Sequence, residues 1–178
     1  MGCDIHLHVE VRSRKYKDAK WRHADIDGAF SDRIYGMFYA LAEVRGPYNG
    51  ITPLKPKGIP DDMSWQTKDD ISYVVDNEFA EDKGYCSMAQ AMDYIKSGWS
   101  KWLEYYGDGT KRITCPDWHS FSWCTIEEME NAINQVFKDK EGKWITNYEP
   151  EAWYALLMYM KAYDEMGYDV RAVFWFDN

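Results

Sequence analysis

Hydrophobic and polar residues alternate without a break from Gly2 to Val11. Cys3, Ile5, Leu7, Val9 and Val11 fall on one side of an extended chain, and Asp4, His6, His8 and Glu10 on the other, because successive strand side chains point to opposite faces. The pattern predicts a strand over residues 2–14 with one buried face. A second strand over 19–25, with Trp21 and His23 alternating on it, completes a hairpin through Lys15-Tyr16-Lys17-Asp18. Near the far end, Asp169 to Phe176 alternates in the same way and is expected to pair with the first strand.

Between these strands the period changes to that of a helix. Ile34, Met37, Phe38 and Leu41 form a stripe behind an N-cap at Ser31 or Asp32, with Gly46 just past the end. A second helix is predicted from Ser87 to about Tyr106, with Gly98 as its weak point. Thr125-Ile126-Glu127-Glu128 is a capping box that opens a third, running to about Phe137. The last runs from Pro150 to about Met166, ends at Gly167, and is apolar on both faces, so a central position is expected. Residues 69–81 fit a strand or a helix. Residues 46–67 hold Pro47, Pro53, Pro56 and Pro60, a density that excludes a long helix or a central strand. This stretch reads as an ordered flap over one end of the sheet, docked by Ile51, Leu54, Ile59, Met63 and Trp65. The class that results is α+β: a small antiparallel sheet, the N-terminal hairpin plus the C-terminal strand, packed by about four helices in a single globular domain over 1–178.

Composition narrows the function. Hydrophobic residues make up 46% and aromatics 17%, which excludes disorder. Nine Trp and fourteen Tyr exceed what a core of this size needs, leaving some to stack on a planar ligand. A net charge of −9 argues against generic nucleic-acid binding, since phosphate contacts need clustered cations. Lys55 and Lys57 are the flap's only cations and are placed to meet an anion. Cys3, Cys86, Cys115 and Cys124, with no secretory signal and no bilayer-length apolar run, point to a reduced, cytoplasmic protein without a membrane partner.

The candidate chemistry sits in two stretches. Any half-exposed strand shows a polar row to water, but Asp-x-His-x-His is an unusual choice for one, and Asp is a poor strand former. The second stretch, Cys115 to Cys124, reads as a loop before a helix N-terminus, where unpaired N–H groups favour anions. A capping role there explains Ser122 and Thr125 but not His119. Three readings compete. Asp4, His6 and His8 with Asp117 and His119 supply ligands for a divalent metal, in a metal-dependent hydrolase or phosphodiesterase. A cysteine–histidine zinc site (Cys3, His6, Cys115, His119, Cys124) matches no common spacing. His6 or His119 with Asp117 can act as a general base without metal, with Ser120 or Ser122 beside it. A pocket without turnover uses Asp4, His6, His8, Lys57, His119, Ser120, Ser122 and Trp123 to bind a small polar, nucleotide-like ligand, with Trp118, Trp123 or Trp65 to stack on a base. This last reading uses the aromatic residues as well as the polar ones.

Met1-Gly-Cys-Asp-Ile-His6, then Pro56-Lys-Gly-Ile-Pro60 with Asp61-Asp62-Met63-Ser64, then Asp117-x-His119-Ser120-x-Ser122-Trp123 together resemble a family of uncharacterised bacteriophage and prophage proteins. Asp-x-His-x-His on a first strand is also similar to the metal-binding opening of amidohydrolases and PHP-type phosphoesterases, whose large barrel this chain is too short to build. The phage resemblance implies a cytosolic protein of the infected or lysogenic host. By analogy it implies a counter-defence factor that sequesters a nucleotide immune signal, with a phage–host protein interaction module as the other outcome.

Overall fold

β1 (Ile5–Ser13) and β9 (Tyr168–Asp177) form the spine of the molecule, antiparallel and in register from Ile5 opposite Phe176 to Ser13 opposite Tyr168. The computed structural model describes residues 2–24, 30–79, 84–103, 109–145 and 149–177. On one side of the spine β1 pairs with β2 (Arg22–His23) and with β3 (Phe30–Asp32). On the other side β9 pairs with β8 (Trp118–Cys124), an edge strand. This five-stranded sheet is antiparallel throughout.

The apolar side of the spine behaves as its alternation predicts. Cys3, Ile5, Leu7, Val9 and Val11 are buried with Ala172, Phe174 and Phe176, beneath α1 (Tyr35–Ala42), α4 (Ile126–Phe137) and α5 (Glu151–Glu165). The β-branched Ile5, Val9 and Val11 and the aromatic Phe174 and Phe176 among them suit a half-buried pleated surface. Each fully buried large side chain contributes about 1.5–3 kcal/mol of transfer free energy. Thr125 caps α4 as the sequence requires, accepting from the Glu128 N–H while Glu128 reaches back to the Thr125 N–H.

The other face is covered by a second layer. α2 (Trp65–Asp70) leads into β4 (Ser72–Val75), which pairs with β5 (Tyr85–Cys86) and β7 (Arg112–Thr114), and β7 pairs with β6 (Trp102–Leu103). α3 (Met88–Lys96) packs on this second sheet through Ala91, Tyr94 and Ile95. The fold is α+β with two sheets.

Several elements differ from their sequence expectation. Ser31 and Asp32 belong to β3, not to a helix cap, and α1 starts behind Ile34 with no side-chain cap. α3 stops at Ser97, because Gly98 takes φ +76°, so Trp102 lies in a strand. Residues 118–124 form a strand of the main sheet, with a bulge between His119 and Ser122 where Ser120 adopts φ +51°. α5 is buried along one face only: Trp153, Leu156, Leu157 and Met160 are in the core, while Tyr154 and Met158 are exposed. The second hairpin strand is two residues long among the described residues, and position 25 of that expectation lies outside them.

The proline-rich stretch runs past the β8 edge. Ile51 and Leu54 pack on the helix-side core, and Thr52 exchanges hydrogen bonds with Gln135 of α4. At the edge, the Lys57 N–H donates to Ser122 Oγ (3.0 Å). Ile59 and Met63 then pack beside Trp175 on the opposite face. Trp65 is not buried with them; it is an exposed residue at the start of α2.

Candidate functional site

The polar row of β1 does not face open water. His8 is 7% exposed and Glu10 is fully buried, covered by α2 and the segment that leads into it. Along one face of the spine stand Asp4, His6, His8 and Glu10 on β1, with Asp177, Trp175 and Arg171 opposite them on β9.

Glu10 is the fixed point. Its Oε2 accepts from Arg171 Nε at 2.8 Å, with Arg171 Nη2 2.7 Å away. Its Oε1 accepts from the Ser64 N–H (2.8 Å) and the Thr67 hydroxyl (2.6 Å). Arg171 also donates to Asp62 (2.7 Å) and lies 4.1 Å over the Trp21 ring. Buried charges survive only when paired and hydrogen-bonded, and here every oxygen of the carboxylate has a donor.

Next to it, His8 and His23 lie ring against ring, 4.0 Å between centroids and 17° from parallel. β1–β2 register places His23 opposite Glu10, hence on the same face as His8. His8 Nε2 lies 2.9 Å from Asp70 Oδ2, and His23 Nε2 lies 2.9 Å from Thr67 Oγ1. Burial, then the adjacent His8 ring, pull His23 down to about 4, so its imidazole is neutral near pH 7.

Two residues towards the N-terminus, the His6 ring is stacked against those of Trp118 (5.8 Å) and Trp175 (6.0 Å). Its Nε2 is 3.1 Å from Asp177 Oδ2, and Asp177 Oδ1 accepts the Asp4 N–H at 2.6 Å. This carboxylate–imidazole dyad, partly open to solvent, has the arrangement of an oriented general base. Trp175, which touches both His6 and His8, buries an indole N–H that has no hydrogen-bond partner among the described residues.

The remaining candidates are dispersed. Asp4 is engaged by Arg33 through two short contacts (2.5 and 2.7 Å), which hold its carboxyl below the usual range. His119 pairs with Phe176 and lies against its ring, on the helix side of the sheet, with Nδ1 2.9 Å from Ser120 Oγ. His6 is opposite Trp175, on the other face. The expected convergence of Asp4, His6 and His8 with Asp117 and His119 on one metal is therefore not built, since a sheet separates them; Asp117 is exposed. Lys57, Ser122 and Trp123 tether the flap: Lys57 Nζ sits 2.5 Å from Glu128 and 4.0 Å over Trp123. The cysteine–histidine zinc set is likewise not assembled among the described residues; the four thiols are free and buried. Sequence reasoning missed His23 and Asp70 as site residues. Hairpin register carried a signal for His23; Asp70 had none, since its place depends on α2 docking across the sheet.

A cleft opens where the flap meets the second layer. It measures about 340 Å³ and is lined by Gly58, Ile59, Pro60, Asp61 and Met63 of the flap, Lys68 of α2, and Lys101, Trp102 and Leu103. A second cavity of about 400 Å³, lined by Met88, Met92 and Lys111, shares Trp102 and Leu103 as a wall. No family model matches the chain, no curated protein matches it, and no solved structure matches it.

Proposed function

We propose that the chain binds a small anionic ligand with a planar ring, nucleotide-like in character, in the cleft between the flap and β6. The observation that carries this reading is the lining of that cleft. Lys68 and Lys101 bring positive charge, the half-exposed Trp102 offers an indole face, and Asp61 offers an acceptor for sugar hydroxyls. Lysines meet phosphate as compact charges, aromatic rings stack on bases, and the volume is that of a small-molecule site. The adjoining Met88–Met92 cavity is apolar and extends the space available to a ring. With the phage resemblance, the role that follows is sequestration of a nucleotide signal. The His6–Asp177 dyad favours a second reading, hydrolysis of a ligand bound at the dyad itself rather than in the cleft.

Isothermal titration with adenosine monophosphate and with a cyclic dinucleotide tests binding, and chromatography of the ligand after incubation tests turnover. Binding weakened at least tenfold by Lys101→Glu and by Trp102→Ala is the expected result. No binding of either nucleotide, or binding unchanged in both variants, overturns the reading.

A further inference from the structure

His8, His23 and Asp70 come together from three elements, β1, β2 and the end of α2, with one ligand-capable atom from each within 4.8 Å of the others. We propose that these three side chains bind one divalent transition-metal ion, with zinc as the representative, and leave an open coordination position towards solvent. Two imidazoles and one carboxylate form the donor set of catalytic zinc sites, which keep their fourth position for water. Two nitrogen donors also select against magnesium and calcium, which take oxygen ligands.

What separates this cluster from an incidental grouping is how His23 is held. The Thr67 hydroxyl has one proton, and it donates that proton to Glu10 Oε1. Thr67 Oγ1 can therefore only accept at its 2.9 Å contact with His23. His23 must carry its proton on Nε2, which leaves the Nδ1 lone pair unprotonated for a metal. A ring nitrogen fixed by a hydrogen bond to the other nitrogen is the usual support of a histidine ligand. Glu10 cannot reverse this, because Arg171 and the Ser64 N–H occupy its remaining acceptor positions. Thr67 is thus a positioning residue, and the Arg171–Glu10–Thr67 chain fixes the tautomer from within the buried layer.

Asp70 supplies the adjustable ligand. Its side chain is 47% exposed, and it ends a six-residue helix, so it can change rotamer. The stacked His8 and His23 rings must also turn from their near-parallel arrangement for their in-plane lone pairs to meet one ion. Ligand atoms around tetrahedral zinc lie about 3.3 Å apart, as Zn–N bonds of about 2.0–2.1 Å require. The His8 Nε2 to Asp70 Oδ2 separation of 2.9 Å is a hydrogen-bond distance, shorter than that spacing, so the two groups part slightly when an ion enters. Of the three side chains Asp70 is the exposed one, so the open position is assigned to its side.

The test uses untagged full-length protein stripped of metal, titrated with zinc chloride and, in parallel, with cobalt(II) followed by visible absorption. One ion per chain is expected, with the absorption of a low-coordinate cobalt site. Asp70→Asn, on an exposed position that spares the fold, and His23→Gln should each weaken binding at least tenfold. Thr67→Val should weaken it by about 10–100-fold while circular dichroism stays unchanged. Absence of stoichiometric binding overturns the proposal. So does binding that survives Asp70→Asn and His23→Gln but is lost in His6→Ala, which places the ion at the Asp177 dyad. Nucleotide binding in the cleft is read separately, so either result leaves that reading to its own test.

Discussion

Arg171→Met is the substitution with the largest effect that the structure allows one to work out. Arg171 is 5% exposed and Glu10 is 0% exposed. Removing the guanidinium strands a buried carboxylate, a change that costs about 3–5 kcal/mol when nothing compensates. The Ser64 N–H and Thr67 hydroxyl continue to donate to Glu10, which sets the expectation near the lower limit, about 3 kcal/mol. Loss of the contact with the Trp21 ring adds about 0.5–2 kcal/mol. Asp62, the other partner, is 60% exposed and is taken over by water. The double variant Glu10→Met/Arg171→Met no longer buries a lone charge. It leaves the Ser64 N–H without its acceptor, at about 1–3 kcal/mol, while the Thr67 hydroxyl can turn to Ser64 Oγ at 3.0 Å. Urea unfolding at pH 7, followed by tryptophan fluorescence, measures all three variants. The double variant should be less destabilised than the sum of the two singles. A cost below about 1 kcal/mol for Arg171→Met, or additivity within about 0.5 kcal/mol, would refute the view that Glu10 depends on Arg171.

Four further outcomes follow from the same packing. Asp4 is held down by Arg33; in Asp169 the effect of burial is outweighed by Arg12 and Arg14, and in Asp62 by Arg171, Trp21 and Arg12. A carboxyl with a lowered folded pKa stabilises above its unfolded value, near 3.8, and loses that contribution as pH falls through the folded value. Thermal midpoints should therefore drop steeply below about pH 4, and Asp169→Asn should flatten that limb; an unchanged acid limb contradicts it. Burial raises all four thiols, so an aromatic disulfide reagent should label none in the native protein and four on unfolding. Thr125→Ala removes the α4 cap and should cost about 1 kcal/mol in urea unfolding, while Leu157→Ala in the core of α5 should cost about 2–5 kcal/mol.

The fold was legible wherever a local pattern decides the structure. The period-2 alternation of residues 3–11 and 170–176 defined the spine, since a one-residue slip would have turned every apolar side chain to the wrong face. The Thr125 capping box and the proline-rich flap were readable for the same reason. The site was only half legible. Asp4, His6, His8 and Glu10 share a face because a strand has period 2, and that held. Whether His119 joins them depends on which side of β8 it faces, and the bulge at Ser120 decides that; the residues show no period there. Lys57 read as a free cation because Glu128 and Trp123 are distant in sequence. Asp70 meets His8 only through the packing of two layers, which no local pattern encodes.

The proposed ligand site is best tested by titrating adenosine monophosphate into isotopically labelled protein and following amide and indole N–H resonances. A ligand in the flap cleft shifts Gly58, Ile59, Asp61, Lys101 and Leu103 and the indole of Trp102, and leaves His119, Ser120 and Ser122 in place. Shifts centred on His119 to Ser122, or no shifts at all, would contradict a working face that lies beneath the flap.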